Sequence, residues 1–169
     1  MIERRLAGGL SLSALALVGL LGYEGFTEQA IIPVQNDVPT VGFGSTVIQG
    51  KKVELGDTID PVRAVIAAHN HINTEEQIFR QSIAGVALYQ HEYDAYMDFV
   101  YQFGTGTWTK SSMRANLLEG DYAKACGALL LYRFAGDYDC STLVNGKPNA
   151  RCYGVWMRQL ERNKRCNGG

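Results

Sequence analysis

The residues that most constrain this chain come first. From Leu6 to Gly22 there are 17 residues without a charge, and they run into Tyr23-Glu24-Gly25-Phe26. A stretch of this kind must find lipid or a protein interior, so Glu24 arrives at the edge of an apolar environment. Loss of water there raises a carboxyl pKa and makes a proton donor near neutral pH. The plain alternative has Glu24 ending an N-terminal helix and facing water. Downstream, Pro39-Thr40-Val41-Gly42-Phe43-Gly44-Ser45-Thr46 reads as a strand punctuated by glycine.

Arg4 and Arg5 precede the uncharged run, a charge order that keeps the N-terminus in the cytoplasm. As a helix the run would span about 26 Å, just short of a ~30 Å hydrocarbon core. Nine of its residues are Gly, Ala or Ser, and the other eight are Leu or Val, so insertion in a bilayer should be marginal. Three readings stay open: a cleaved signal peptide, a permanent anchor, and a weak anchor that can leave the membrane. No clear A-x-A site precedes Glu24, and a permanent anchor is usually longer and richer in Leu and Ile, so the releasable anchor fits best. Residues 1–22 are then a membrane segment and 23–169 the folded domain. After release, Leu6 to Gly22 is expected to pack as a helix on that domain.

A chain of 169 residues favours one domain with room for two lobes. Its 16 basic and 17 acidic residues give a net charge of −1, and Lys and Arg are scattered with a modest cluster only at the C-terminus, so nucleic acid, which requires a basic face, is not an expected partner. The four cysteines, Cys126, Cys140, Cys152 and Cys166, lie in the last third, with 13, 11 and 13 residues between them. That is not a zinc pattern. Free buried thiols are one reading; an even count in an exported chain favours disulfides. Of the three connectivities that four cysteines allow, Cys140–Cys152 nested inside Cys126–Cys166 is the one adopted here.

Residues 31–55 read as hairpin or small-sheet material. Ile31 to Val34 forms one strand, Gln35-Asn36-Asp37 a turn, Val38 to Phe43 a second strand, and Gln49-Gly50-Lys51-Lys52 another turn. Asp60-Pro61 starts a helix that reaches the low seventies. Thr74-Glu75-Glu76-Gln77 resembles a capping box that opens the next. Leu88 to Gly104 is the most strongly helical stretch, with Gly104 as its C-terminal stop. Further helices are expected over Met113–Glu119, from Asp121 through Phe134, and from Gly154 to Arg165, with a loop over 135–150. The class is α+β: a small N-terminal β-hairpin unit and a mainly helical C-terminal lobe.

At this point the chain resembles the phage-type lysozymes, the endolysin glycoside hydrolases. Tyr23-Glu24-Gly25-Phe26 is similar to the family's E-G opening, and Pro39 to Gly44 to its W/Y-T-I-G-Y-G strand. Gln90 to Gly104 matches its central helix, and Gly154 to Arg162 loosely matches its terminal helix. The Gly/Ala-rich N-terminus looks like the segment of signal-arrest-release endolysins. The resemblance implies a lysozyme-like fold and hydrolysis of the bond between N-acetylmuramic acid and N-acetylglucosamine in peptidoglycan, with inversion. Such a reaction needs a protonated carboxyl at the leaving oxygen and a second group that activates water on the opposite face. By match, Glu24 would be the general acid, and Thr40 the hydroxyl that positions water.

The family's second acidic residue would fall at Pro33 or Val34, and neither can act as a base. Asp37 is the nearest carboxylate on the correct side. It is either the water-activating group or a turn residue that bonds its own backbone. Glu28, one helical turn from Glu24, reads as solvated. Gln102 aligns with a polar position lining the family's cleft and is expected to contact glycan. Tyr101 and Trp108 read as core or hinge aromatics. His69, His71 and His91 have no Cys or acidic ligand at fitting spacing, so no metal or other cofactor is expected.

The implied protein is a monomer when soluble, tethered to the bacterial inner membrane facing the periplasm and then released into it. A lytic transglycosylase, which needs one catalytic Glu and no second carboxylate, and a membrane-anchored glycan-binding module are the competing readings.

Overall fold

Ser13 starts the first helix by accepting the Ala16 N–H on its hydroxyl at 3.1 Å, so the uncharged run does not fold as one helix. In this computed structural model, which describes residues 3–33 and 37–169, the run is divided. Strand β1 (Arg5–Leu6) comes first, then a 3-10 turn at Ala7–Gly9, then helix α1 (Ala14–Glu24). Gly8 and Gly9 are poor helix formers, which gives the turn its place. The expected single helix over Leu6–Gly22 is replaced by these three pieces.

The chain divides into two compact units, Met1–Leu12 with Glu76–Gly169, and Ser13–Glu75. Both draw on residues 1–22. The smaller unit holds α1, β2 (Thr27–Ile31), β3 (Thr40–Gly42), β4 (Val47–Ile48) and β5 (Lys51–Lys52). It also holds most of α2 (Pro61–Ser82). Strand β2 pairs antiparallel with β3, Thr27 opposite Gly42 and Ile31 opposite Thr40, with a shift of register between the two pairs. On its other side β2 meets residues 57–59: Ala30 N–H donates to the Asp57 carbonyl at 2.9 Å, and Ile59 N–H to that of Glu28 at 3.0 Å. The first strand thus lies earlier than the sequence reading placed it, at 27–31, and the second is shorter. Of the turn expected at Gln35-Asn36-Asp37, only Asp37 lies among the described residues. Ala30, Val41, Val53, Ile59 and Ala64 form the unit's apolar core, with Phe43, Ile48 and Ala67 packed against it.

The start of α2 is as the sequence indicates, since the Asp60 carboxylate accepts the Arg63 N–H at 2.9 Å. The second start at Thr74 does not occur. Its hydroxyl donates to the Asn70 carbonyl one turn back, at 3.2 Å, so it adds to a running helix rather than capping a new one.

The larger unit is built on α3 (Gln90–Thr109), which is interrupted at Gly104 by non-helical angles (φ 76°, ψ 159°). Strand β6 (Ala87–Leu88) pairs with β1. Helices α4 (Ser112–Leu118), α5 (Tyr122–Ala128) and α6 (Tyr153–Cys166) follow. Tyr93, Tyr96, Met97, Phe99 and Val100 are fully buried along α3. Trp108 packs on Phe79 and Tyr96 with ring centroids 4.8 and 5.4 Å away, and its indole N–H donates to Ser82 Oγ at 2.8 Å. It is a core residue.

The helix expected from Asp121 through Phe134 stops at Ala128 and tightens into a 3-10 turn, Leu129–Leu131. The stretch expected as loop carries two hairpins: β7 (Phe134–Ala135) with β8 (Tyr138–Asp139), and β9 (Leu143–Val144) with β10 (Lys147–Pro148). Asn145 and Gly146, both with positive φ, make the second turn, and Asn-Gly is a strong hairpin signal. The disulfides are Cys126–Cys166 and, nested inside it, Cys140–Cys152. By chain entropy they contribute about 4 and 3 kcal/mol.

One carboxylate binds α3 to α6. Asp98, 3 % exposed, accepts from Arg162 at 2.7 Å and Arg158 at 3.0 Å, with Arg165 at 3.6 Å. Burial alone would raise its pKa; the charge and hydrogen bond of Arg162, joined by Arg158, outweigh burial and hold it below the ordinary aspartate value. A group with a depressed folded pKa stabilises the fold above its unfolded pKa, and that contribution is lost as pH falls through the folded value. Asp98→Ala, which strands the buried Arg162, should cost about 3–5 kcal/mol. Melting curves across pH should show the wild type losing stability below about pH 4, with the variant lacking most of that loss.

Candidate active site

Two sequence motifs meet in the smaller unit, and glycine makes the meeting sterically feasible. Gly42 and Gly44 have φ of 67° and 79°, a region that side-chain-bearing residues seldom enter. Their turn is closed by paired bonds between Val41 and Ser45, each N–H donating to the other's carbonyl at 3.0 Å. A Cβ on Gly42 would lie 2.8 Å from the Ala64 Cβ, so strand β3 sits directly on α2.

Onto this turn folds the end of α1. Gly25, with φ of 70°, ends the helix. Phe26 then packs on Phe43 with ring centroids 5.6 Å apart, and Thr27 takes its place opposite Gly42, its hydroxyl donating to the Gly42 carbonyl at 3.5 Å. Oε2 of Glu24 lies 3.7 Å from where a Gly44 Cβ would be. Positions 24, 26 and 27 thus register against 44, 43 and 42. Sequence reasoning found both motifs but missed the Phe26–Phe43 and Thr27–Gly42 contacts that join them.

Glu24 is the last residue of α1 and is exposed, and Tyr23 and Phe26 beside it are 49 % and 40 % exposed. An exposed carboxylate at the foot of a glycine turn is within reach of a ligand. Thr40 stands at the start of β3, half-buried, opposite Ile31. Asp37 is exposed, and its Oδ1 accepts the Val38 N–H at 2.8 Å. Glu28 lies on strand β2, exposed, and not one helical turn beyond Glu24, because α1 has already ended.

Gln102 belongs to the larger unit and is exposed on α3. His69 and His71 are exposed on α2, where a ring nitrogen of His69 meets Asn73 at 3.2 Å. His91 stacks on Tyr89 with ring centroids 5.2 Å apart. Among the described residues no group of His, Cys, Asp or Glu is placed to hold a metal ion.

This architecture is that of lysozymes. Similar solved structures include an endolysin from Escherichia coli O157:H7 phage FAHEc1, with a TM-score of 0.76 and 21 % identity over 94 % of each chain. The muramidase domain of SpmX from Asticaccaulis excentricus matches with a TM-score of 0.71 and 15 % identity, over 92 % of this chain and 97 % of that one. The active form of the P1 phage endolysin Lyz matches with a TM-score of 0.70 and 17 % identity, over 96 % and 88 %. At such identities the likeness speaks for the fold. No curated protein matches by sequence. The phage lysozyme family model matches residues 22–149, so the chain belongs to the phage lysozyme family. It is a lysozyme-type glycoside hydrolase acting on peptidoglycan.

The close approach at Gly42 gives a direct check of this geometry. Gly42→Ala should cost about 2–4 kcal/mol, combining positive-φ strain with overpacking against Ala64. Thermal melting would read the loss; a variant as stable as wild type would mean that β3 does not sit on α2 in this way.

Proposed function

We propose that this lysozyme is a muramidase of the signal-arrest-release kind, with Glu24 as general acid, and that it cleaves between N-acetylmuramic acid and N-acetylglucosamine to lyse the host cell. The observation that carries the site is the register of Glu24 on the Gly42–Gly44 turn. Protonated Glu24 gives its proton to the leaving glycosidic oxygen. Water held by the Thr40 hydroxyl adds to the anomeric carbon from the opposite face, with its proton passing to Asp37, and the configuration inverts. Gln102 contributes glycan binding. The muramidase domain of SpmX shares this fold.

The bond from Val38 N–H to Asp37 favours a second reading. If Asp37 serves only its own backbone, the chain could work with one carboxylate as a lytic transglycosylase. Digestion products separate the two: a reducing end from hydrolysis, a 1,6-anhydro ring from transglycosylation. Glu24→Gln should lower peptidoglycan hydrolysis about a thousand-fold, within the range of general acid catalysis, while circular dichroism and melting temperature stay unchanged. Hydrolysis near the wild-type rate would remove Glu24 from the role.

Tethering is supported by the uncharged run and by what α1 leaves outside. Leu15 and Val18 are 84 % and 66 % exposed, an apolar stripe suited to lipid. No helix among the described residues is long and apolar enough to cross a membrane. In the tethered form residues 6–22 would be a continuous helix of about 26 Å, which breaks into β1, turn and α1 on release. Glu24 would be pinned at the interface until then. Collapsing the membrane potential with an ionophore should move the protein from the membrane to the soluble fraction and advance lysis. Full cell-wall digestion by the tethered protein would refute the regulation.

A further inference from the structure

The guanidinium of Arg4 sits in a cage made wholly by the larger unit. Its Nη2 donates to Glu92 Oε1 at 2.7 Å, and its Nε to Glu92 Oε2 at 3.1 Å. The rings of Tyr89 and Tyr122 stand 4.4 and 3.8 Å from its central carbon. The Glu92 side chain is 4 % exposed, against 32 % for Arg4. Its carboxylate is also fixed independently, because Oε2 accepts the Tyr89 N–H at 2.8 Å in the first turn of α3. The receptor combines a buried carboxylate with two half-buried aromatic rings, and its ligand is a residue near the chain terminus. A forked cation between aromatic faces is what such a pocket binds best.

Behind Arg4 the segment is held through its backbone. Ala7 N–H donates to the Val86 carbonyl at 2.9 Å. Arg80 donates to the Leu10 carbonyl at 3.1 Å and Gln90 to the Ser11 carbonyl at 2.8 Å. Leu12 N–H donates to Glu76 Oε1 at 2.7 Å, an oxygen that also accepts the Tyr93 hydroxyl at 2.7 Å. These bonds would serve many sequences. The selective contact is the Arg4 side chain.

We propose that Tyr89, Glu92 and Tyr122 form a guanidinium-binding site whose ligand is the chain's own Arg4, empty while the N-terminal segment is in the membrane and filled on release. The proposal rests on the tethered reading given above. In that form Arg4 lies on the cytoplasmic side and the body on the other, so the Glu92 carboxylate keeps its bond from the Tyr89 N–H and lacks its forked cation. Capture of Arg4 restores the bidentate pair and favours the released form.

The test uses the full chain, released and purified. Arg4→Ala should melt roughly 5 °C lower than wild type, and millimolar n-propylguanidinium should restore most of that loss, whereas n-propylammonium should not. The variant should also return to phosphatidylethanolamine–phosphatidylglycerol vesicles several-fold more than wild type. If Arg4→Ala yields no soluble protein, Arg4→Lys, which keeps the charge and loses the fork, should itself melt below wild type. Unchanged melting, or equal effects of the two additives, would overturn the site. Guanidinium-specific rescue in a protein never found in the membrane fraction would keep the site and overturn its emptying in a tethered form.

Discussion

The contact between the residues after α1 and the Gly42–Gly44 turn is the constraint on which the rest depends. The turn has two positive φ values, and β3 can come against α2 only because Gly42 has no Cβ to meet Ala64. Once the turn is made, Phe43 offers its ring to Phe26, and Gly42 offers its backbone to Thr27. The helix end is then fixed in direction as well as position, and Glu24 follows from it. The packing of its neighbours places the acid at an exposed position that a substrate can reach.

The same N-terminal stretch contributes to both units. Residues 4–12 are tied to the larger unit by an ion pair and a series of backbone bonds, and α1 belongs to the smaller unit. Gly8 and Gly9 lie in the 3-10 turn and Ser13 caps α1, so the uncharged run breaks at small residues. The larger unit has its own restraint, the Asp98–Arg162 pair and the disulfide between α5 and α6.

Much of this was legible from the chain. The E-G and T-x-G-x-G motifs, the cap at Asp60, the stop at Gly104 and the nested cysteines are local signals, each tied to a backbone or covalent requirement. What was hidden depends on context. Thr74 has the letters of a capping box, yet a continuing helix gives its hydroxyl a carbonyl instead. The helix after Asp121 ends at Ala128, one residue past Gly127, with no proline to stop it. Asn145-Gly146 was a readable turn signal inside a stretch taken for loop. Arg4 reads from sequence as a topology signal, and only the fold reveals Glu92 as its partner, 88 residues away. At the site, the two motifs were visible but the contacts joining them were not, because Phe26 and Phe43 look like ordinary apolar residues.

The central claim is that Glu24, placed by the glycine turn, donates the proton to the glycosidic oxygen. A crystal structure of the Glu24→Gln variant with a bound peptidoglycan fragment would test it most directly. The account predicts the substituted amide side chain at position 24 within about 3 Å of the scissile oxygen, with the Thr40 hydroxyl facing the anomeric carbon from the other side of the ring. A fragment bound with its scissile bond away from the Gly42–Gly44 turn, beyond reach of position 24, would contradict it.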